Sequence, residues 1–245
     1  LKIVLVGAPL CSALYQCNLE FALNLCLGSA TGDRTLAILA NWPTGLPYAE
    51  LVRSFHSEHM AFQGSAAGKD PERPSPWELQ YIHGAGLKML YLALHPLVLA
   101  HRLLFRQTLT LTRFVWSNLG SQCLCNLLVW YWWGGWAVFY MLASTYVGAS
   151  PWHPAAFYFL THHHLCTTEI EVNTQTRTYS YYGILNAFTL NAGYHRERHL
   201  CRQVPWSKLP LIRHMYFSQD APQTAYTSVL QAIHDFIFQP SLTLH

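Results

Sequence analysis

The chain has 245 residues, which is enough for one substantial domain. Only 11% of its residues are charged and 14% are aromatic, whereas roughly 25% are charged in typical soluble domains. This deficit of charge indicates that lipid is the main solvent of the protein. The net charge of +3 comes from scattered lysines and arginines, and this distribution argues against a nucleic-acid partner.

Three apolar segments predict membrane-spanning helices, at residues 3–27, 87–105 and 122–147. The first holds Glu20 as its single formal charge and the third holds none, and both exceed the roughly 20 residues that a helix needs to cross the hydrocarbon core. The middle segment either crosses or lies at the interface with its basic groups snorkelling. We therefore expect an all-α fold, a multi-pass helical membrane protein with a histidine-bearing cytosolic cap.

The remaining segments are predicted to lie outside the bilayer or at its surface. Residues 151–166 are too short to span and are expected to be re-entrant or interfacial, while 63–76 and 167–177 have the composition of polar loops. Apolar residues recur at helical spacing in 226–238, which predicts an amphipathic helix. We expect one domain over 1–245. Because the chain opens inside an apolar run without Met, we also expect it to be truncated at the N-terminus.

Two histidine pairs flank the tryptophan-rich segment. His56 and His59 are three residues apart, and His195 and His199 are four residues apart. In a helix both spacings bring the two imidazoles onto one face, as helices present them to a metal. The alternative is that each pair serves packing or a polar surface.

The seven cysteines are odd in number and contain no Cys-x-x-Cys motif. Most of them lie in apolar runs. We therefore interpret them as reduced thiols that act as small hydrophobic side chains.

Five motifs follow one another in an order and spacing that resemble the sphingolipid (dihydroceramide) Δ4-desaturases of the membrane fatty-acid desaturase and hydroxylase superfamily. The resemblance extends over about residues 14–238. The motifs are Ala40-Asn-Trp-Pro-Thr-Gly-Leu-Pro-Tyr48, His56-x-x-His59 followed by Phe62-Gln-Gly64, Tyr179-Ser-Tyr-Tyr-Gly-Ile-Leu-Asn186, Asn191-Ala-Gly-Tyr-His195 and Leu209-Pro-Leu-Ile-Arg213.

The resemblance implies a multi-pass protein of the endoplasmic reticulum membrane that converts dihydroceramide to ceramide. Members of this family hold two irons with histidines from three boxes, use dioxygen, and take electrons from cytochrome b5. Iron as cofactor, the lipid bilayer, a sphingolipid substrate and cytochrome b5 are accordingly the cofactor and partners that the resemblance implies. Neutral imidazoles suit iron where few carboxylates are available.

Position by position, the resemblance places about half of the family's ligands in this chain. The first box falls on Cys17 and Phe21, the second ends on Met60 instead of histidine, and the third holds Arg198 in place of one histidine. Arginine stays protonated and offers no lone pair to a metal. We assign no catalytic side chain, and the metal ligands that the resemblance implies are His56, His59, His163, His195 and His199.

Two functions remain open at this stage. The first is a working sphingolipid Δ4-desaturase, and the second is a pseudoenzyme that keeps the membrane fold and lipid binding, since the altered box positions argue for reduced or absent activity. Glu58 and Glu197 stand inside the boxes and are expected to orient a ligand, whereas His153 is expected to fix the turn beside Pro154.

Overall fold

The computed structural model describes residues 1–62, 70–72, 75–106, 109–163, 180–216 and 225–238. In these residues the chain is predominantly helical, which confirms the predicted helical class, and the predicted loop 167–177 lies outside them. The helices are α1 (Ala8–Ala22), α2 (Ala30–Asn41), α3 (Ala49–Phe62), α4 (Pro76–Tyr81), α5 (Gly84–Phe105), α6 (Arg113–Trp133), α7 (Gly135–Gly148), α8 (Tyr158–His163), α9 (His195–Leu200), α10 (Leu209–Tyr216) and α11 (Val229–Phe238). Two short strands, β1 (Ser180–Tyr181) and β2 (Ala225–Tyr226), pair in parallel with Ser180 opposite Ala225.

Two helical segments of the described chain are long and apolar enough to cross a membrane. One is Ile3–Ala22, in which a π-helical turn at Ile3–Gly7 runs directly into α1, and the other is α5 with 22 residues. They coincide with the predicted spans 3–27 and 87–105, except that the first helix ends at Ala22. Leu23 leaves the helical conformation with φ −90° and ψ 2°.

Residues 122–147 do not form the single helix that their apolar composition predicts. They divide into the end of α6 and most of α7, because Gly134 adopts φ 77° and ψ 177° between the two helices. Only glycine reaches this conformation readily, so the break depends on the absence of a Cβ. Exposed aromatic side chains surround the break, namely Trp130, Tyr131, Trp132, Trp133 and Trp136.

The chain divides into two compact units, and the first comprises residues 1–58 and 96–149. In this unit, two amide side chains that lie four residues apart on α6 donate hydrogen bonds to the loop that follows α2. Gln122 Nε2 donates to the Trp42 carbonyl oxygen at 3.3 Å, and Asn126 Nδ2 donates to the Gly45 carbonyl oxygen at 3.0 Å. These bonds satisfy carbonyl groups of the Asn-Trp-Pro-Thr-Gly turn that no regular helix would satisfy.

Small residues allow α1 and α7 to approach closely in the same unit. A Cβ at Gly148 would lie 2.5 Å from the Ala8 carbonyl oxygen, and a Cβ at Gly7 would lie 2.0 Å from Ser144 Oγ. Close backbone approach at small residues is a common way in which helices pack in membranes.

The second unit comprises residues 59–95 and 150–245. Its core is aromatic: Phe157 and Tyr158 are buried beside Tyr181, with ring centroids of Phe157 and Tyr181 4.3 Å apart. Phe236 on α11 is fully buried, as the apolar stripe in 226–238 predicts. Tyr181 is thus a residue of this core and not an anchor at a membrane interface.

Candidate metal centre

Three histidines of the second unit converge, and local structure explains why. His59 lies in the last turn of α3, while His195 opens the short helix α9 and His199 follows one turn later. Gly193 sets the entry to α9, because its N–H donates to Asn186 Oδ1 at 3.0 Å and its carbonyl accepts from Tyr181 N at 2.7 Å. A Cβ at this glycine would lie 2.4 Å from Asn186 Oδ1, so no larger residue fits.

The ring nitrogens of these histidines are close enough to bind one cation. His195 Nε2 and His199 Nε2 are 2.9 Å apart, His59 Nε2 and His199 Nε2 are 3.4 Å apart, and one nitrogen of each ring lies within 4.8 Å of the others. Two nitrogens bound at ~2.1 Å to one ion are about 3.0–3.4 Å apart for bond angles between 90° and 109°. These two nitrogen–nitrogen distances therefore fit a single metal ion.

Two acidic residues from the segment after α3 contact the His59 ring. Asp70 Oδ1 lies 2.9 Å from Nδ1, and Glu72 Oε2 lies 3.1 Å from Nε2. Because a carboxylate only accepts, the Asp70 contact places a proton on Nδ1. The Glu72 contact likewise favours a proton on Nε2, which a metal ion bound through that nitrogen would replace. Nε2 also faces His199. Carboxylate partners of this kind fix the orientation of metal-binding histidines and raise their basicity.

The electrostatics of His59 follow from this surrounding. Its side chain is 2% exposed, and burial by itself disfavours the charged imidazolium. Glu72 and Asp70 outweigh that effect, so the pKa of His59 is raised above its ordinary value. The two carboxylates thus favour a positive charge at a position that is almost closed to water. A cation bound through Nε2 would supply that charge in place of the Nε2 proton.

Glu197 supports α9 rather than a histidine. Its fully buried carboxylate accepts from the Ser180 hydroxyl at 2.7 Å and from the Tyr182 hydroxyl at 2.5 Å, among the described residues. Burial and the Glu197 carboxylate together raise the pKa of Tyr182, so this tyrosine remains a hydrogen-bond donor. Glu197 therefore ties β1 to α9, and its sequence-predicted role as an orienter of a ligand is replaced by a role in positioning the helix.

Two altered box positions have structural roles of their own. Arg198 Nη1 donates to the Val204 carbonyl oxygen at 3.3 Å, which directs this side chain to the turn after α9. Met60, the residue that follows His59 in the chain, is 3% exposed and packs in the interior. Neither side chain is a suitable ligand for oxidised iron, because guanidinium has no lone pair and a thioether is soft.

The first-box positions belong to α1 in the other unit. Phe21 lies at the end of that helix, where Arg53 donates to the carbonyl oxygens of Phe21 and Ala22 and to Asn24 Oδ1. Arg53 thereby satisfies carbonyl groups that the end of the helix leaves without partners. Cys17 lies one turn earlier and is partly buried.

The remaining predicted ligands are placed as follows. His56 is buried on α3 one turn before His59, and His163 ends α8, with its side chain outside the described residues. His153 accepts from Ala155 N at 3.1 Å and caps the turn at Pro154, as predicted. Asp70 and Glu72 were missed by sequence reasoning, although two acids in a Gly/Pro-rich loop directly after a histidine pair are a usable signal.

The described donors fit one cation, and they do not fit a two-iron centre. Three imidazoles with two nearby carboxylates are sufficient for a single ion with an open position. A phenyl ring at Phe21 and a guanidinium at Arg198 supply no ligand where the resemblance implies one. We therefore derive no chemical step through a pair of irons in this chain.

Comparison with known proteins agrees with the motifs. The family model described as fatty acid desaturase matches residues 6–230. The chain is 31% identical over 218 residues to sphingolipid delta(4)-desaturase DES1 of Gallus gallus, covering 88% of this chain and 64% of that protein. It is 31% identical over 226 residues to the DES1 protein of Pongo abelii, covering 91% and 68%. With sphingolipid delta(4)-desaturase/C4-monooxygenase DES2 of Homo sapiens it shares 33% identity over 217 residues, covering 88% and 64%.

No solved structure matches the chain. The chain spans a little under two thirds of the length of the Gallus gallus relative. The family match covers most of the chain and includes both histidine pairs. The chain belongs to the fatty acid desaturase family, and within it to the sphingolipid Δ4-desaturases.

Proposed function

We propose that this protein acts in sphingolipid Δ4 desaturation, with dihydroceramide as substrate and ceramide as product. The observation that carries the proposal is the convergence of His59, His195 and His199, in a chain whose relatives are named sphingolipid Δ4-desaturases. The resemblance adds dioxygen as oxidant and cytochrome b5 as electron donor. It also adds the endoplasmic reticulum membrane as the location.

The proposed topology is multi-pass, with the histidines in a cap on the cytosolic side. Two apolar helices, Ile3–Ala22 and α5, support membrane insertion, and the exposed tryptophans at the α6–α7 break have the character of residues that anchor at a membrane–water interface. A substrate with long alkyl chains is consistent with a protein that is itself in lipid.

The proposed metal site is reduced relative to that of the family. His59, His195 and His199 would hold one ion, iron by resemblance. The resemblance adds His56 and His163 as proposed ligands; His56 is not a member of the converging group. A bound iron supplies redox chemistry towards dioxygen. Asp70 holds the proton on His59 Nδ1, so that Nε2 faces the ion, and near-complete burial of this ring limits the access of water.

This reduced donor set has a direct consequence for activity. Ligands that act as one unit are strongly non-additive, so the loss of one box position already removes most of the turnover and the further losses add little. We infer a desaturase that is much slower than its relatives with complete boxes.

A second function is favoured by a specific observation. Arg198 and Arg53 both bond backbone carbonyl groups in or beside the box segments, which is how structural residues behave. On that basis the chain would be a non-catalytic member of the family that retains the membrane fold and binds sphingolipid without converting it.

One experiment distinguishes the two functions. The chain is expressed in cells that lack their own Δ4-desaturase, and ceramide formed from added dihydroceramide is measured by mass spectrometry. The matched control is His195→Ala, and a relative with complete boxes is the positive control. We expect low ceramide that disappears in His195→Ala. Equal product from the unmodified chain and His195→Ala would establish the non-catalytic function.

A further inference from the structure

The first unit contains a polar cavity of about 230 Å³ to which no function has been assigned above. Its walls come from three places in the chain: α2, one face of α3, and the segment that leads into α6. The lining residues are Arg34, Glu50, Arg53, Ser54, Ser57, Leu109, Thr110 and Thr112.

The α3 wall of the cavity is distinct from the histidine face of the same helix. Glu50, Arg53, Ser54 and Ser57 recur at i, i+3, i+4 and i+7, which places them along one face. At ~100° per residue, His59 stands about 180° from Glu50 around the helix axis. One side of α3 therefore serves the metal centre, and the other lines the cavity.

The charges in the cavity leave a net positive group. Glu50 is 7% exposed and lies between two arginines, with its Oε1 3.5 Å from Arg34 Nε and 4.0 Å from Arg53 Nε. The terminal nitrogens of Arg53 donate hydrogen bonds at the end of α1, to Phe21, Ala22 and Asn24. Arg34 also lines the cavity and is 29% exposed, so its charge remains available there.

Two contacts hold the Arg34 side chain in place without using its terminal N–H groups. Among the described residues, its guanidinium contacts Glu50 and stacks 4.8 Å from the Phe114 ring centroid. Those contacts use Nε and the flat face of the group, so the terminal N–H groups are left in the fixed fork that matches an oxyanion.

A second set of donors lies at the beginning of α6. Thr112 is the N-cap residue of this 21-residue helix, yet its side chain makes no capping bond, and its buried hydroxyl oxygen has no partner among the described residues. The N-terminal N–H groups of a long helix favour an anion. Ser57 and Thr110 add hydroxyl groups from the other walls.

We propose that this cavity binds a phosphate monoester, either free inorganic phosphate or the headgroup of a phosphorylated lipid. A tetrahedral dianion matches donors that converge from three walls, and its charge offsets the arginine charge that Glu50 leaves uncompensated. The volume is that of about seven or eight waters at ~30 Å³ each, which is sufficient for a phosphate group.

The test uses the full chain in nanodiscs of phosphatidylcholine and follows binding of inorganic phosphate by ³¹P NMR at constant ionic strength. The variant is Arg34→Gln, and the matched control is Arg113→Gln, because Arg113 stacks on the same Phe114 ring at 5.1 Å but does not line the cavity. We expect saturable binding, weakened at least fivefold by Arg34→Gln and less than twofold by Arg113→Gln.

Two further arms identify the source of the phosphate and guard against misfolding. Phosphatidic acid in the nanodisc displaces inorganic phosphate if a lipid headgroup is the ligand, whereas the diester phosphatidylglycerol does not; if neither displaces it, free phosphate is the ligand. Arg34→Lys keeps the positive charge but lacks the paired guanidinium N–H groups, so this variant should bind inorganic phosphate with intermediate affinity. Absence of saturable binding, or equal losses in Arg34→Gln and Arg113→Gln variants that are as helical as the parent, would overturn the proposal.

Discussion

Asp70 accepts a hydrogen bond from His59 Nδ1 at 2.9 Å and thereby turns the opposite nitrogen of this ring towards His199. The two residues are eleven positions apart, and Asp70 lies outside every histidine box. Control of the ring by a carboxylate means that the proposed metal centre would depend on a residue that contributes no ligand atom of its own.

Replacing Asp70 with Asn should weaken metal binding by about 10–100-fold, because an amide oxygen still accepts from Nδ1 but lacks the negative charge that raises the basicity of the ring. The affinity for Fe²⁺ or Co²⁺ can be measured by competition with a chromophoric chelator. The matched control is Asp235→Asn, since Asp235 also contacts a histidine, His234 at 3.2 Å, but on an exposed surface. Equal losses in both variants would show that Asp70 does not act on the site.

Metal analysis of the purified chain should give one ion per molecule. Three imidazole nitrogens at these separations enclose a single position, so His195→Ala should abolish binding, while the surface control His234→Ala should leave it unchanged. Inductively coupled plasma mass spectrometry on protein from iron-supplemented cells gives the stoichiometry. Two irons per chain would contradict the donor set derived above.

Removing a hydrogen bond to the buried Glu197 should destabilise the second unit. Tyr182→Phe takes one donor from a carboxylate that is fully buried, at a cost of about 1–3 kcal/mol. The midpoint of thermal unfolding in detergent should fall accordingly. Tyr216→Phe removes the same hydroxyl from a residue that is 67% exposed, and it should change the midpoint little. A Tyr182→Phe variant as stable as the parent would mean that this bond contributes nothing to the fold.

Restoring histidines should raise activity only when all the boxes are filled. Met60→His with Arg198→His is expected to help little, because Cys17 and Phe21 still leave the first box without its imidazoles. The fourfold variant, with Cys17→His and Phe21→His added, is the smallest set from which we expect additional iron and faster ceramide formation. The double variant serves as the control for the fourfold variant. Full activity from the double variant alone would show that the first box is dispensable.

The sequence by itself determined the class of the protein and much of its chemistry. Low charge and long apolar runs indicate helices in lipid, and the order of the motifs around His56 and His195 is specific enough to identify the family. These are local properties, since residue spacing along one helix decides which side chains share a face. The apolar helices Ile3–Ala22 and Gly84–Phe105 fall within or around the predicted spans 3–27 and 87–105 for the same reason.

Tertiary structure decided the rest. Periodicity cannot reveal that Asp70 contacts the His59 ring, because the two residues do not share a helix and the contact is tertiary. Nor does composition reveal the break at Gly134, since an apolar run has the same composition whether or not one of its glycines adopts φ 77°. The cavity beside Arg34 likewise exists only because three distant segments meet there. Contacts between segments far apart in the chain depend on packing, and packing is not encoded in any single stretch of sequence.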